Sequence, residues 1–299
     1  MNRNHLAAAL LALLLALAAP LAAETIDESR PANPDARIEL IAVTGDFDII
    51  GHDDDSFELS GRLGDDVREL VIDGSPEHWT IELKMVKSQR GWGRSKSSEL
   101  TLRVPRSVRL EATTVSGDLD LRDLDGPSVE ASTVSGDVEL ARVRPAELRI
   151  KSVSGDIESE PGGTTMNRLE TVSGDIELNG ARGRVQLQSV SGDIEIDGRE
   201  ITELQVETVS GDIEARIRPT ADARIKLNAH SGDVELQLPA GSALRVEAET
   251  FSGDIRSAFG GEVQRGRGPG AKLRFEADGA AIRVEAATFS GNVVLSEFD

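Results

Sequence analysis

One tetrapeptide, repeated at a nearly fixed interval, constrains this chain more than any other feature. Val-Ser-Gly-Asp or a close variant recurs with its glycine at Gly117, Gly136, Gly155, Gly174, Gly192, Gly211, Gly232 and Gly253, at successive intervals of 19, 19, 19, 18, 19, 21 and 21 residues. A further copy has Gly291, 38 residues after Gly253, and an early relative, Val43-Thr44-Gly45-Asp46, has Gly45. Self-similarity at a fixed period marks a repeat architecture, in which one unit cannot bury its apolar face alone and stacked units can.

Each copy sits between two short alternating segments. Upstream lie runs such as Leu204-Gln205-Val206-Glu207-Thr208-Val209; downstream lie Ile194-Glu195-Ile196 and Ile176-Glu177-Leu178. Period-2 alternation rich in Val, Ile and Thr reads as half-buried strand. The phase changes across the motif, as Val185 and Leu187 are odd and Ile194 and Ile196 even, so a bend at Ser-Gly-Asp is expected, with glycine supplying the backbone angle. Looser turns carrying Gly or Pro, such as Glu160-Pro161-Gly162-Gly163, separate the copies.

The fold class expected is therefore all-β: a single-chain β-solenoid, read as a right-handed β-helix with turns of about 19 residues. Equal turns would place Ile157 over Val138 and under Ile176. The alternative is an antiparallel meander with each Ser-Gly-Asp as a hairpin; near-identical rungs at one period favour parallel stacking. The regular array is expected over 106–256. Residues 24–105 read as a less regular β region capping it, and the 72 residues from Gly45 to Gly117, close to four periods, suggest degenerate turns there. Residues 257–299 read as a loop, at Arg265-Gly266-Arg267-Gly268-Pro269-Gly270, followed by final solenoid turns.

Residues 1–23 read as a signal peptide. Arg3 precedes an unbroken Leu/Ala run over 6–19, too short to span a bilayer comfortably, and the small-residue stretch Leu21-Ala22-Ala23 meets Glu24. Export to the periplasm or cell surface is the expectation, with no stable transmembrane segment in the mature chain. There is no cysteine, so stability in that compartment is built without disulfides. With 53 acidic against 33 basic residues and a net charge of −20, the surface repels phosphate backbones, and nucleic acid is not expected as a partner. Aromatics are only 3%, which points to a core of small aliphatic layers.

The repeated polar residues invite chemical readings. The motif aspartates, Asp118, Asp137, Asp156, Asp175, Asp193, Asp212, Asp233 and Asp254, resemble a calcium ladder, but one carboxylate per turn supplies too few oxygens for a site needing six to eight, and turn aspartates ordinarily accept backbone amide hydrogen bonds. Asn292 in the last copy keeps the acceptor without the charge. The serines Ser116, Ser135, Ser154, Ser173, Ser191, Ser210, Ser231, Ser252 and Ser290 lack the base a nucleophile needs; only His230 adjoins one, in the slot held elsewhere by Val or Phe, while His52 and His78 adjoin none. Glu139, Glu158, Glu177, Glu195, Glu214 and Glu235 alternate with buried aliphatics and are expected to form an outward acidic stripe. One basic glycine loop, Lys87, Arg90, Trp92, Arg94 and Lys96, is a candidate contact for an anionic polymer or headgroup. No catalytic, cofactor or metal site is expected.

Leu100-Thr101-Leu102-Arg103-Val104-Pro105, the repeated Thr-Val-Ser-Gly-Asp-Ile-Glu-Leu units and the closing Thr288-Phe289-Ser290-Gly291-Asn292-Val293 resemble the bacterial putative-adhesin family of β-strand-repeat proteins, a domain of unknown function. The resemblance covers nearly the whole chain after residue 23. It implies a β-helical fold, export or envelope association, and no established activity or cofactor. Function is expected to be that of an exported non-enzymatic envelope module, an adhesin-like scaffold presenting extended acidic faces to an envelope protein or polymer. The alternatives are an accessory or sensor component of an envelope-stress response and a β-helix polysaccharide-active enzyme.

Overall fold

The computed structural model describes residues 25–86, 97–161, 163–265 and 269–299; residues 1–23, read above as a signal peptide, and the basic glycine loop at Lys87 to Lys96 lie outside them. Among the described residues all regular elements are strands. Most pair in parallel and in register with the equivalent strand of another copy, so the Ser-Gly-Asp segments are corners between two stacked sheets and not hairpins.

Each rung has one strand before its corner and one after it. Val129–Ala131 faces Leu148–Ile150 in the first sheet, and Ile157 pairs with Val138 on one side and Ile176 on the other in the second. The inward residues are fully buried aliphatics, for example Val185, Leu187, Ile194 and Ile196. At a strand spacing of ~4.8 Å these make continuous aliphatic ladders, and a narrow interior of this kind has little room for rings. The described aromatics accordingly lie at the two ends: Phe47, Phe57 and Trp79 at one, Phe251, Phe259, Phe275, Phe289 and Phe298 at the other.

The order of rungs in space departs from the order in sequence at both ends. Arg37–Ile41 pairs with Arg109–Thr113 on one side and with His78–Met85 on the other. Residues 37–52 are thus one rung lying directly against the 109–122 rung, and the intervening chain loops outward to build the next layer from His78–Met85 and Glu99–Pro105. The 72-residue interval from Gly45 to Gly117 is an insertion, not four degenerate turns. At the far end, Ile282–Ser290 and Val293–Phe298 slot between the 224–239 and 244–257 rungs, so Gly291 stacks between Gly232 and Gly253.

Antiparallel strands close both ends. Ser56–Arg62 covers Glu99–Pro105 and is itself covered by Thr25–Pro31; Val67–Ser75 covers His78–Met85; Ala271–Glu276 covers Leu244–Ser252. A parallel stack otherwise exposes unpaired backbone at its ends, which invites edge-to-edge association. Trp79 stands edge-on to Phe57 at 5.3 Å, and its indole N–H donates to the Pro31 carbonyl at 3.0 Å, pinning the first cap.

Candidate interaction surface

The corner dictates the motif. Its glycines have φ between +135° and +156°, and a Cβ on any of them would stand 2.0–2.3 Å from a glycine carbonyl of the adjacent rung, except at Gly45, where Ser98 Cβ lies at 3.0 Å. Only glycine meets both conditions. Backbone bonding then passes between rungs through the bend: Ser135 N–H donates to the Val115 carbonyl and Gly117 N–H to the Ser135 carbonyl, each at 2.9 Å.

The next amide is turned away from the carbonyls, and the aspartate supplies its acceptor. Asp137 N–H donates to Asp118 Oδ1 at 2.9 Å, Asp156 N–H to Asp137 at 2.8 Å, Asp175 N–H to Asp156 at 2.8 Å, and Asp193 N–H to Asp175 at 2.8 Å. The chain of bonds begins at Asp46 and continues through Asp212 and Asp233 to Asn292 and Asp254. Asn292 fits between two carboxylates because its Oδ1 still accepts from the Asp254 amide at 3.0 Å while its Nδ2 donates to Asp233 Oδ2 at 3.1 Å. Among the described residues there is no cluster of three or more His, Cys, Asp or Glu placed to hold a metal ion.

Beside this ladder runs the glutamate row, in register from Glu139 through Glu158, Glu177, Glu195 and Glu214 to Glu235. Among the described residues, the Glu139–Glu235 row makes no ion pair and the Asp ladder makes one at its end, Arg265 with Asp254 at 2.7 Å; Arg122 pairs with Asp48 and Asp120, which precede Glu139 in the same register. The interior of the face therefore carries unneutralised like charge. The charge of Asp120 pushes the Glu139 carboxyl up from its ordinary value. Partial burial, then Glu235 and Glu195, do the same to Glu214. Arg265 holds the Asp254 carboxyl below its ordinary value. The first sheet's outer face differs: Arg37 pairs with Glu111 at 2.7 Å, Arg184 with Glu203 at 2.8 Å and Lys226 with Glu207 at 3.9 Å.

A third row escapes sequence reasoning. The residue before each motif serine points outward, giving Val43, Val115, Val134, Val153, Val172, Val190, Val209, His230, Phe289 and Phe251 in stacking order. The valines and phenylalanines of this row are 44–51% exposed and make up most of the exposed large hydrophobics among the described residues. At one end the row turns aromatic: His230 stacks on Phe289 at 5.1 Å and Phe289 on Phe251 at 4.7 Å, with ring planes nearly parallel. The signal was present in the alternation: Leu204, Val206 and Thr208 face in, so Val209 must face out.

Between this row and the next outward one lies a groove floored by the buried Ser/Thr row. One stretch of about 710 Å³ runs from Lys151 and Val153 to Asn228 and His230, and a second of about 630 Å³ continues past Phe289 and Phe251 beside Gln264, Arg265 and Lys272. Some of the floor hydroxyls serve the corners, Thr250 and Thr288 donating to the Gly291 and Gly232 carbonyls at 2.8 and 2.9 Å, whereas those of Thr114, Thr133, Ser152 and Ser189 have no partner among the described residues.

The family model of the Toastrack DUF4097 domain matches residues 51–223 and again 204–296. The chain belongs to this family. A double, overlapping match is what a repeat of this kind produces, since one pattern fits at more than one place along a Toastrack stack. No curated protein matches the chain. Among solved structures, the Toastrack chain is similar to a putative adhesin from Bacteroides fragilis NCTC 9343 (11% identity, TM-score 0.44, covering 91% of this chain and 97% of that one). It is similar also to a putative adhesin from Parabacteroides merdae ATCC 43184 (13%, 0.38, 92% and 97%) and to a putative lipid binding protein from Parabacteroides distasonis ATCC 8503 (8%, 0.32, 92% and 97%). Among the described residues of this Toastrack protein, no helix is long and apolar enough to cross a membrane.

Proposed function

We propose that this protein is an exported, non-enzymatic cell-envelope module, an adhesin-like scaffold that presents extended faces to a macromolecular partner. Residues 1–23 act as a cleaved signal, and the exported chain resides in the periplasm or at the cell surface. Its coil is right-handed with turns of about 19 residues, capped at one end by the 24–105 region, while 257–299 supplies a loop and a final solenoid turn.

The observation that carries this reading is translational: the Asp ladder, the Glu row and, over most of its length, the outward Val row each repeat one chemistry from rung to rung, and among the described residues no rung gathers a nucleophile, base and acid that the others lack. A surface of this kind suits a partner that is itself long. Its unneutralised Asp and Glu rows favour a cationic partner and disfavour phosphate polymers.

The test is affinity capture from envelope extracts on immobilised 24–299, alongside a variant carrying Glu158→Lys, Glu177→Lys and Glu195→Lys. A partner retained by the first and released by the second supports the reading. Identical captures, or none enriched over an unrelated acidic protein, would refute it. Fractionation of cells expressing the full chain tests export directly.

A further inference from the structure

Resting on the interaction-module reading above, we propose that the groove along the outward Val/Phe row is a docking site for a basic amphipathic helix lying parallel to the stack axis. The row sets seven valines and two phenylalanines, each about half exposed, in one strip along the stack, and a contiguous apolar strip of this kind marks an interaction site. Its far end offers the Phe289–Phe251 stack, an aromatic anchor of the type that dominates interface energies.

Two observations select the occupant. A strand laid along this row would cross the rungs at right angles and find no backbone partner, because the corner amides and carbonyls are already bonded between rungs, as Ser135 N–H is to the Val115 carbonyl. A helix satisfies its own backbone and brings an apolar stripe forward 5.4 Å per turn, close to the ~4.8 Å rung repeat. Charge decides the rest. Three residues on from each row valine, around the same corner, stands a ladder aspartate, and from Asp118 to Asp233 these have no ion-pair partner among the described residues. Lysines or arginines flanking the helix's apolar stripe would meet that line of carboxylates. An anionic membrane or a second copy of this chain would be repelled by it.

The probe is a fluorescent 18-residue Leu/Lys peptide with leucines at i, i+3, i+4 and i+7, long enough for about five rungs, read by anisotropy at 0.15 M salt. A scrambled peptide of identical composition is the control. Saturable binding is expected, with at least tenfold weaker affinity for the scrambled peptide and for the variant Val153→Ser/Val172→Ser/Val190→Ser, whose fold is checked by circular dichroism. The variant Asp156→Asn/Asp175→Asn/Asp193→Asn, which keeps the ladder's acceptors, is expected to weaken binding severalfold and flatten its salt dependence. Equal affinity for the scrambled peptide, or wild-type affinity in the valine variant, would show attraction by charge alone and overturn the proposal. So would binding to phosphatidylglycerol vesicles with none to the peptide, or a dimer that the valine variant dissociates. If the valine variant still captures the envelope partner that the Glu→Lys variant loses, the groove proposal falls while the module reading stands.

Discussion

The backbone amide of Asp175 donates to Oδ1 of Asp156 at 2.8 Å, across the step from one rung to the next. The carboxylate therefore serves a neighbouring layer, and its charge is incidental to that service. Asp156→Ala removes the acceptor and leaves the Asp175 amide to solvent, at a cost of ~1 kcal/mol at this exposed corner. Asp156→Asn keeps an acceptor and removes one of a line of like charges, and its melting temperature is expected to equal or exceed that of the parent. Thermal melts of the two variants side by side check the assignment, and a loss in both would contradict it. With Oδ1 engaged along the ladder, calcium at millimolar concentration is expected to leave the parent's melting temperature unchanged.

Glycine at the corner is required on two counts, and a contrast between two glycines separates them. At Gly174 φ is +150° and a Cβ would stand 2.3 Å from the Gly155 carbonyl oxygen; at Gly241 φ is +76° and nothing lies within 4 Å. Gly241→Ala carries backbone strain alone, about 1 kcal/mol. Gly174→Ala adds a clash with rigid backbone that pushes two rungs apart, and a loss of at least ~3 kcal/mol is expected. Chemical denaturation of both variants measures the difference. Similar midpoints would mean the stack is looser than its register implies.

The repeat alone favoured parallel rungs over a meander and placed the bend at Ser-Gly-Asp and the outward Glu139–Glu235 row, because each follows from a period of two residues within a period near 19; the choice against the meander needed the strand pairing itself. Two features were out of reach for definite reasons. Chain order fixes neighbours only where loops are short, so the 45-to-117 insertion and the slotting of Gly291 between Gly232 and Gly253 depend on three-dimensional pairing. The outward valines were readable from their parity with Leu204 and Val206, but a β-branched residue beside a strand is taken for core by habit of composition. Asn292 was recognised as an acceptor without charge; that it sits between Asp233 and Asp254 needed the stack.

The acidic face sets a pH dependence with a definite sign. Glu139 and Glu214 have folded-state pKa values raised above those of the unfolded chain, so the folded form takes up protons first as pH falls, and stability rises through that window. Asp123 beside Arg142 and Asp254 beside Arg265 are lowered, and their contribution, present above the unfolded carboxylate range, is lost as pH falls through their folded values. Stability is expected to peak at mildly acidic pH, between these two windows. Glu214→Gln should raise the melting temperature by on the order of 1 °C at pH 7, with the gap closing near pH 4. A gap that widens on acidification would reverse the assignment.

The outward row and the inward ladders make opposite predictions for one substitution. Leu187 is fully buried between rungs, and Leu187→Ala is expected to cost 2–5 kcal/mol, given as about the usual range for a core cavity. Val190, three residues on, is 48% exposed, and Val190→Ala should cost about 0.5 kcal/mol or less. Urea midpoints of the pair test whether the Val row contributes chiefly to the fold or is available for a partner; a cost at Val190 matching that at Leu187 would place it in the core.

The rung at 282–298 is last in sequence but has neighbours on both sides. Gly291 and Val293 amides donate to the Ser252 and Asp254 carbonyls on one side, while Gly232 and Val234 amides donate to the Ser290 and Asn292 carbonyls on the other. Val284, Ala286, Val293 and Leu295 fill the interior between the 224–239 and 244–257 rungs. A chain ending at 281 would keep both flanking rungs with a slot one layer wide between them, whereas a chain ending at 239 would keep an unbroken stack with one open edge. The shorter chain is therefore expected to be the more protease-resistant of the two, and the chain ending at 281 to bind an apolar dye. Adding a synthetic peptide of residues 282–298 should quench that binding and raise the melting temperature, because both walls of the slot offer it parallel backbone partners. If the chain ending at 281 melts with the intact protein and ignores the peptide, the 224–239 and 244–257 rungs close directly on each other, and the terminal rung is not the wedge its position between them implies.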